Sequence, residues 1–132
     1  MINKYEENFV KKFVINTRQE RLIFELNGKK RQNGIGRFCH SVADFIKMDK
    51  IIAEGNKLYT ENIISIINKY NIFDKWYILA CNENIDRKIC KINEALELVL
   101  GNGMAAIIIS DSIAIIETKQ CYGTSQRYIL HC

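Results

Sequence analysis

The side chains in this chain that could act as nucleophiles, bases or soft metal ligands are two histidines, His40 and His131, and five cysteines, Cys39, Cys81, Cys90, Cys121 and Cys132. Thiolate catalysis needs a base within hydrogen-bond reach of the sulfur. Cys39 and His40 are adjacent, but neighbouring helical residues point about 100° apart and cannot form that dyad. His131 and Cys132 alternate across a strand and fail for the same reason. Neither histidine sits in an H-x-x-x-H or H-E-x-x-H setting, and the cysteines show no C-x-x-C spacing, so no zinc site is expected. Glu83 and Asp86 lack the regular acidic spacing of a calcium loop. Gly101-Asn102-Gly103 closes a helix, whereas a phosphate cradle follows a strand and opens one, so it reads as a C-cap. No catalytic residue, metal or cofactor is expected.

Binding chemistry is better represented. The stretch from Arg18 to His40 carries the densest positive charge in the chain, in Arg18, Arg21, Lys29, Lys30, Arg31 and Arg37. These cations could neutralise phosphates, with the free amides at the start of the following helix as further anion donors. Residues 1–50 hold eleven Lys or Arg against six Asp or Glu, and residues 51–132 hold eight against nine, so the basicity is N-terminal. The excess of Ile, Asn and Lys and the lack of Pro match the bias of an AT-rich genome, which gives Arg more weight than Lys. Arg18 and Arg21 fall on a narrow polar strip where ion pairs with Glu20 or Glu25 compete with phosphate. The exposed part is therefore expected to be Lys29 to Arg31, with Arg37 and His40 facing inward. Near the C-terminus, Thr124 and Arg127 belong to a polar loop, 122–127, in which hydroxyls, an amide and a guanidinium converge as a candidate ligand contact.

These residues must be held by elements that the apolar periodicity outlines. Residues 4–26 contain no Gly or Pro and predict one long helix, with Phe9, Val10, Phe13, Val14 and Phe24 on one face and Ile15, Leu22 and Leu26 on another. Asn27 and Gly28 supply its stop. A second amphipathic helix turns Ile35, Phe38, Cys39, Val42, Phe45 and Ile46 inward, and Thr60 caps a third running through Ile63, Ile67 and Tyr70. Ile51 to Lys57 fits either a short extended piece or a turn. Trp76 to Cys81 reads as a strand buried on both faces, followed by a helix near Ile92 to Leu100. Strands over Met104 to Ile109, Ile113 to Thr118 and Arg127 to His131 complete the chain.

The expected architecture is a single α+β domain over residues 1–132. Three N-terminal helices pack on a small, mainly antiparallel sheet of about four strands with one inserted helix, β-α-β-β-β. A composition 48% apolar and 26% charged excludes intrinsic disorder. The first residues lack the pattern of a secretory signal and no apolar run is long enough to span a bilayer, so a cytosolic protein without membrane contact is expected. The functional expectation is a small interaction protein without catalysis of its own, which self-associates or restrains a partner protein. A second reading is an RNA or DNA binder using the Arg18 to Arg37 surface. A third is an enzyme or small-ligand binder with Arg37, His40, Glu117 and Arg127 lining one concavity between helices and sheet.

Overall fold

In the computed structural model, which describes residues 3–70, 75–102, 104–118 and 126–132, the expected first helix is two. Helix α1 spans Lys4–Phe13 and α2 spans Asn16–Leu26. Between them Val14 is extended and pairs with Ile46 in an isolated antiparallel bridge. The Ile15 N–H donates to Phe45 O at 2.8 Å, and the Lys47 N–H donates to Phe13 O at 2.8 Å. The break has a packing cause. On a straight rod the two apolar stripes would point in different directions, whereas a two-residue extended joint lets each segment turn its own stripe to the core. Val14 and Ile15 are β-branched and tolerate the extended backbone. Phe9, Val10 and Phe13 of α1 and Leu22 and Leu26 of α2 are all buried.

Helix α3 spans Arg31–His40 and a short α4 spans Val42–Phe45, with Ser41 interrupting the second expected helix. Its six predicted inward residues, Ile35 through Ile46, are all buried. The stop after Leu26 falls where expected, but Asn27 is right-handed, and among the described glycines only Gly55 and Gly101 have positive φ. Strand β1, Ile51–Gly55, resolves the ambiguous segment. Helix α5, Thr60–Asn68, begins at Thr60, with Asn62 Oδ1 accepting from the Tyr59 N–H at 3.1 Å, so Thr60 is the first helical residue instead of the cap.

The remaining elements are β2 (Trp76–Ala80), β3 (Ile89–Cys90), α6 (Ile92–Val99), β4 (Ala106–Ile109), β5 (Ile113–Glu117) and β6 (Arg127–His131). They form, with β1, one antiparallel sheet in the order β1-β6-β5-β4-β2-β3. The fold class is α+β as expected, but the sheet has six strands where about four were predicted. The two additions are its edges. Edge strands need only half of their residues to pack, so β1 and the two-residue β3 give a weak apolar signal.

Both sheet faces are covered. Tyr77, Leu79, Ile107, Ile109, Ala114, Ile116 and Leu130 face α1 to α4. The alternate residues Trp76, Ile78, Ala80, Ile108, Ile113, Ile115 and Ile129 face α5 and α6. This explains why the central strands read as unbroken apolar runs. Ile108 lies on a central strand with no exposed surface. Ile108→Ala should lower unfolding stability by about 2–5 kcal/mol, read as a lower denaturation midpoint at unchanged slope in urea.

Candidate functional site

Three guanidinium–carboxylate units fix the positions of the basic residues that the sequence singles out. The first is buried. Arg31 begins α3, yet its side chain turns inward and is 5% exposed. Its Nη1 and Nη2 donate to Glu6 Oε1 and Oε2, both at 2.8 Å, and its Nε and Nη2 donate to Asp86 Oδ2 and Oδ1 at 2.6 and 3.0 Å. Nη1 also reaches Leu26 O at 2.9 Å, closing the end of α2. The Tyr77 hydroxyl donates to Glu6 Oε2, while Gln32 Nε2 and the Ala80 N–H donate to Asp86. Burial works against the Arg31 charge, but the hydrogen bonds to Asp86 and Glu6 outweigh it and hold the guanidinium above its ordinary pKa. Arg31 is therefore an internal clamp joining α1, α3, β2 and the 82–88 segment, and the expectation that it is exposed is corrected.

The second unit joins α2 to α3. Arg37 Nη1 donates to Glu25 Oε2 at 2.7 Å and Nη2 donates to Oε1, an end-on pairing in which Glu25 is buried and Arg37 half-exposed. Arg21 approaches the same carboxylate at only 3.9 Å with an exposed side chain. Gly34 permits this arrangement, because a Cβ there would lie 3.0 Å from Glu25 Cβ. Arg18 and Arg37 also stand over the Phe45 ring, at 5.0 and 5.9 Å from its centroid.

The third unit lies on the other side of the sheet. Arg127 Nε donates to Glu117 Oε1 at 2.6 Å, Nη1 donates to Leu58 O at 2.7 Å, and the Gly101 N–H donates to Glu117 Oε2 at 2.8 Å. Glu117 and Arg127 share the register face of Ile115 and Ile129, against α5 and α6. Arg37 and His40 belong to α3 on the opposite face. The four residues of the proposed enzymatic constellation therefore do not line one concavity. Arg127 points into the core instead of joining a ligand loop, and Thr124 lies outside the described residues.

Arg37 and His40 do not face inward as expected, Arg37 being half-exposed and His40 exposed, but both line a cleft of about 470 Å³ between α3 and the adjoining ends of β2 and β4, together with Gln32, Asn33, Cys81 and Met104. That volume is within the range of small-molecule sites. Three of its polar side chains, Gln32, Arg37 and Cys81, are engaged with other groups, whereas Asn33 and His40 are exposed at its rim. Arg37 is paired with Glu25, and Gln32 donates to Asp86 while its carbonyl accepts from the Cys81 thiol. Burial, then the neighbouring Cys81 and Glu117, push the Cys39 thiol well above its usual pKa, so its nucleophilic form is suppressed. Among the described residues no cluster of His, Cys, Asp and Glu could hold a metal ion, and no helix is long and apolar enough to cross a membrane.

Arg18, Arg21, Lys29 and Lys30 are left facing solvent. Beside them is a residue that the periodicity misplaced. Phe24, expected on the apolar stripe of a single helix over residues 4–26, is 74% exposed. The joint at Val14 rephases α2 so that Leu22, Glu25 and Leu26 face inward and Phe24 faces out. Glu6 was readable in principle, since it precedes Phe9, Val10 and Phe13 at helical spacing and so marks a carboxylate on a buried stripe. Asp86 gave no such sign. No protein-family model, curated protein or solved structure matches the chain.

Arg31→Ala would leave Glu6 and Asp86 buried without their cation. It should cost about 3–5 kcal/mol in chemical denaturation. Tyr77 supplies a pH test. Burial first, and then its hydrogen bond to Glu6, raise the phenol pKa above its ordinary value. The folded state therefore holds this proton more tightly than the unfolded chain, so the stabilisation is complete below about pH 10 and is lost as pH rises beyond it. Stability measured from about pH 8 to 11 should fall more steeply for the wild type than for Tyr77→Phe.

Proposed function

We propose that this protein is an interaction module without catalysis of its own, and that it meets a partner protein through the outward face of α2 and its junction with α3. The observation that carries this reading is Phe24. A phenylalanine 74% exposed in the last turn of a helix gains nothing for the fold, and aromatic anchors ringed by polar groups are what interface hot spots are made of. Arg21 lies one turn before it and approaches Glu25, Glu25 holds Arg37, and Arg37 walls the 470 Å³ cleft, so a chain of ion pairs links the helix that carries Phe24 to the wall of the cleft. Catalysis is disfavoured by the same inventory, because the buried charges are engaged with one another in ion pairs and the surroundings of the Cys39 thiol favour its protonated form.

The nucleic-acid reading is weakened by what became of its arginines. Arg31 is internal and Arg37 is paired, which leaves Arg18 and Arg21 with two lysines for phosphate contact. The test is a selection of binders from a random displayed-peptide library on the immobilised protein, followed by amide chemical-shift mapping of the enriched peptides. Perturbations should cluster on Arg18 to Lys30 and on Asn33 to His40. Clustering on α5, α6 or β1 would remove the proposal.

A further inference from the structure

The chemistry of the partner can be read from the charge around Phe24, granted the interaction reading just given. Over residues 16–40 six cations face two carboxylates, Glu20 and Glu25. One cation, Arg31, is withdrawn into the core, and another, Arg37, is matched by Glu25. The solvent-facing remainder is Arg18, Arg21, Lys29 and Lys30 against Glu20 alone. Arg18 and Arg21 belong to the turns of α2 before Phe24, and Lys29 and Lys30 follow the end of the same helix. An exposed aromatic is thus flanked on both sides by an excess of positive charge.

We propose that the partner is a protein presenting an apolar recess rimmed by carboxylates, with Phe24 as the inserted anchor and Arg21, Lys29 and Lys30 set against the rim. Complementary rims of this kind set the encounter rate and reject wrong partners, while the desolvated anchor sets the lifetime of the complex. The same charges disfavour a second copy of this chain. A two-fold contact through Phe24 uses the same patch on both subunits, and that places Arg21, Lys29 and Lys30 opposite a field of their own sign. Single-stranded nucleic acid is bound where successive aromatics offer stacking platforms. Here Phe24 is the sole exposed large apolar residue of α2 among those described.

The peptides enriched in the library selection decide the question. They should carry an excess of Asp and Glu flanking an apolar residue, and Phe24→Ala should weaken their binding at least about thirtyfold. The double charge reversal Lys29→Glu with Lys30→Glu should slow association at low salt by about tenfold or more, and the difference should shrink near 0.5 M salt. Phe24 is exposed, so the alanine variant should melt within about 2 °C of wild type, and this control separates lost contact from lost fold. Peptides that need Phe24 but show neither acidic excess nor salt dependence would overturn the acidic partner and leave the interaction reading standing. An absence of any Phe24-dependent binder would overturn both. Tight binding of a dT15 oligonucleotide or of phosphatidylserine vesicles that Phe24→Ala abolishes, or a dimer in light scattering that the same substitution dissolves, would replace the acidic protein with that occupant.

Discussion

The fold depends on one buried cation. Arg31 lies between Glu6 of α1 and Asp86 of the segment after β2, and its guanidinium also accepts the task of satisfying Leu26 O at the end of α2. Taking three charges out of water is costly, and the mutual attraction repays it only when the geometry is good and the leftover lone pairs are occupied. Both conditions are met. The pairings to Glu6 and Asp86 use four of the five guanidinium donors and Leu26 O takes the fifth, while Tyr77, Gln32 and the Ala80 N–H complete the carboxylates. Arginine alone has this donor geometry, which explains why the first residue of α3 is directed inward and not toward solvent.

That constraint shapes the surface. Once Arg31 is consumed, the basic stretch loses the middle of its charge, and Glu25 removes Arg37 as well. What is left is divided into Arg18 and Arg21 on α2 and the lysines beyond its end, with Phe24 between them. A patch with an apolar centre and a charged border suits a protein contact better than a continuous phosphate track. The third ion pair, Glu117 with Arg127, has a structural part on the far face, where it ties β5 and β6 to the segment before α5 and to the turn after α6.

The sheet is the rigid frame for this arrangement. Its central strands bury both faces, so α1 to α4 and α5 to α6 are held on opposite sides by separate apolar clusters. The α3 cleft opens where the helix layer meets the ends of β2 and β4, and its position follows from that packing. Phe24 belongs to a helix that is pinned at both ends, by the Val14 joint and by the Arg31 contact to Leu26 O, so its outward direction is fixed by the backbone.

Local pattern determined a good deal. The 3.6-residue spacing marked the buried side of α3 and α4, unbroken apolar runs marked β2, β4 and β5, and Gly101 marked the end of α6, because each signal lies within a few neighbouring residues. It also disqualified Cys39–His40 and His131–Cys132 as dyads from angle alone. Three facts needed the tertiary structure. The break at Val14 requires Ile46, thirty-two positions away in the chain, to offer a bridge; the burial of Arg31 requires Asp86, fifty-five positions away; and the opposite faces of Arg37 and Arg127 require the full strand register. A sequence pattern records which side chains share a face within one element. Which charge meets which, and so which cations are left at the surface, is decided only when distant segments pack together.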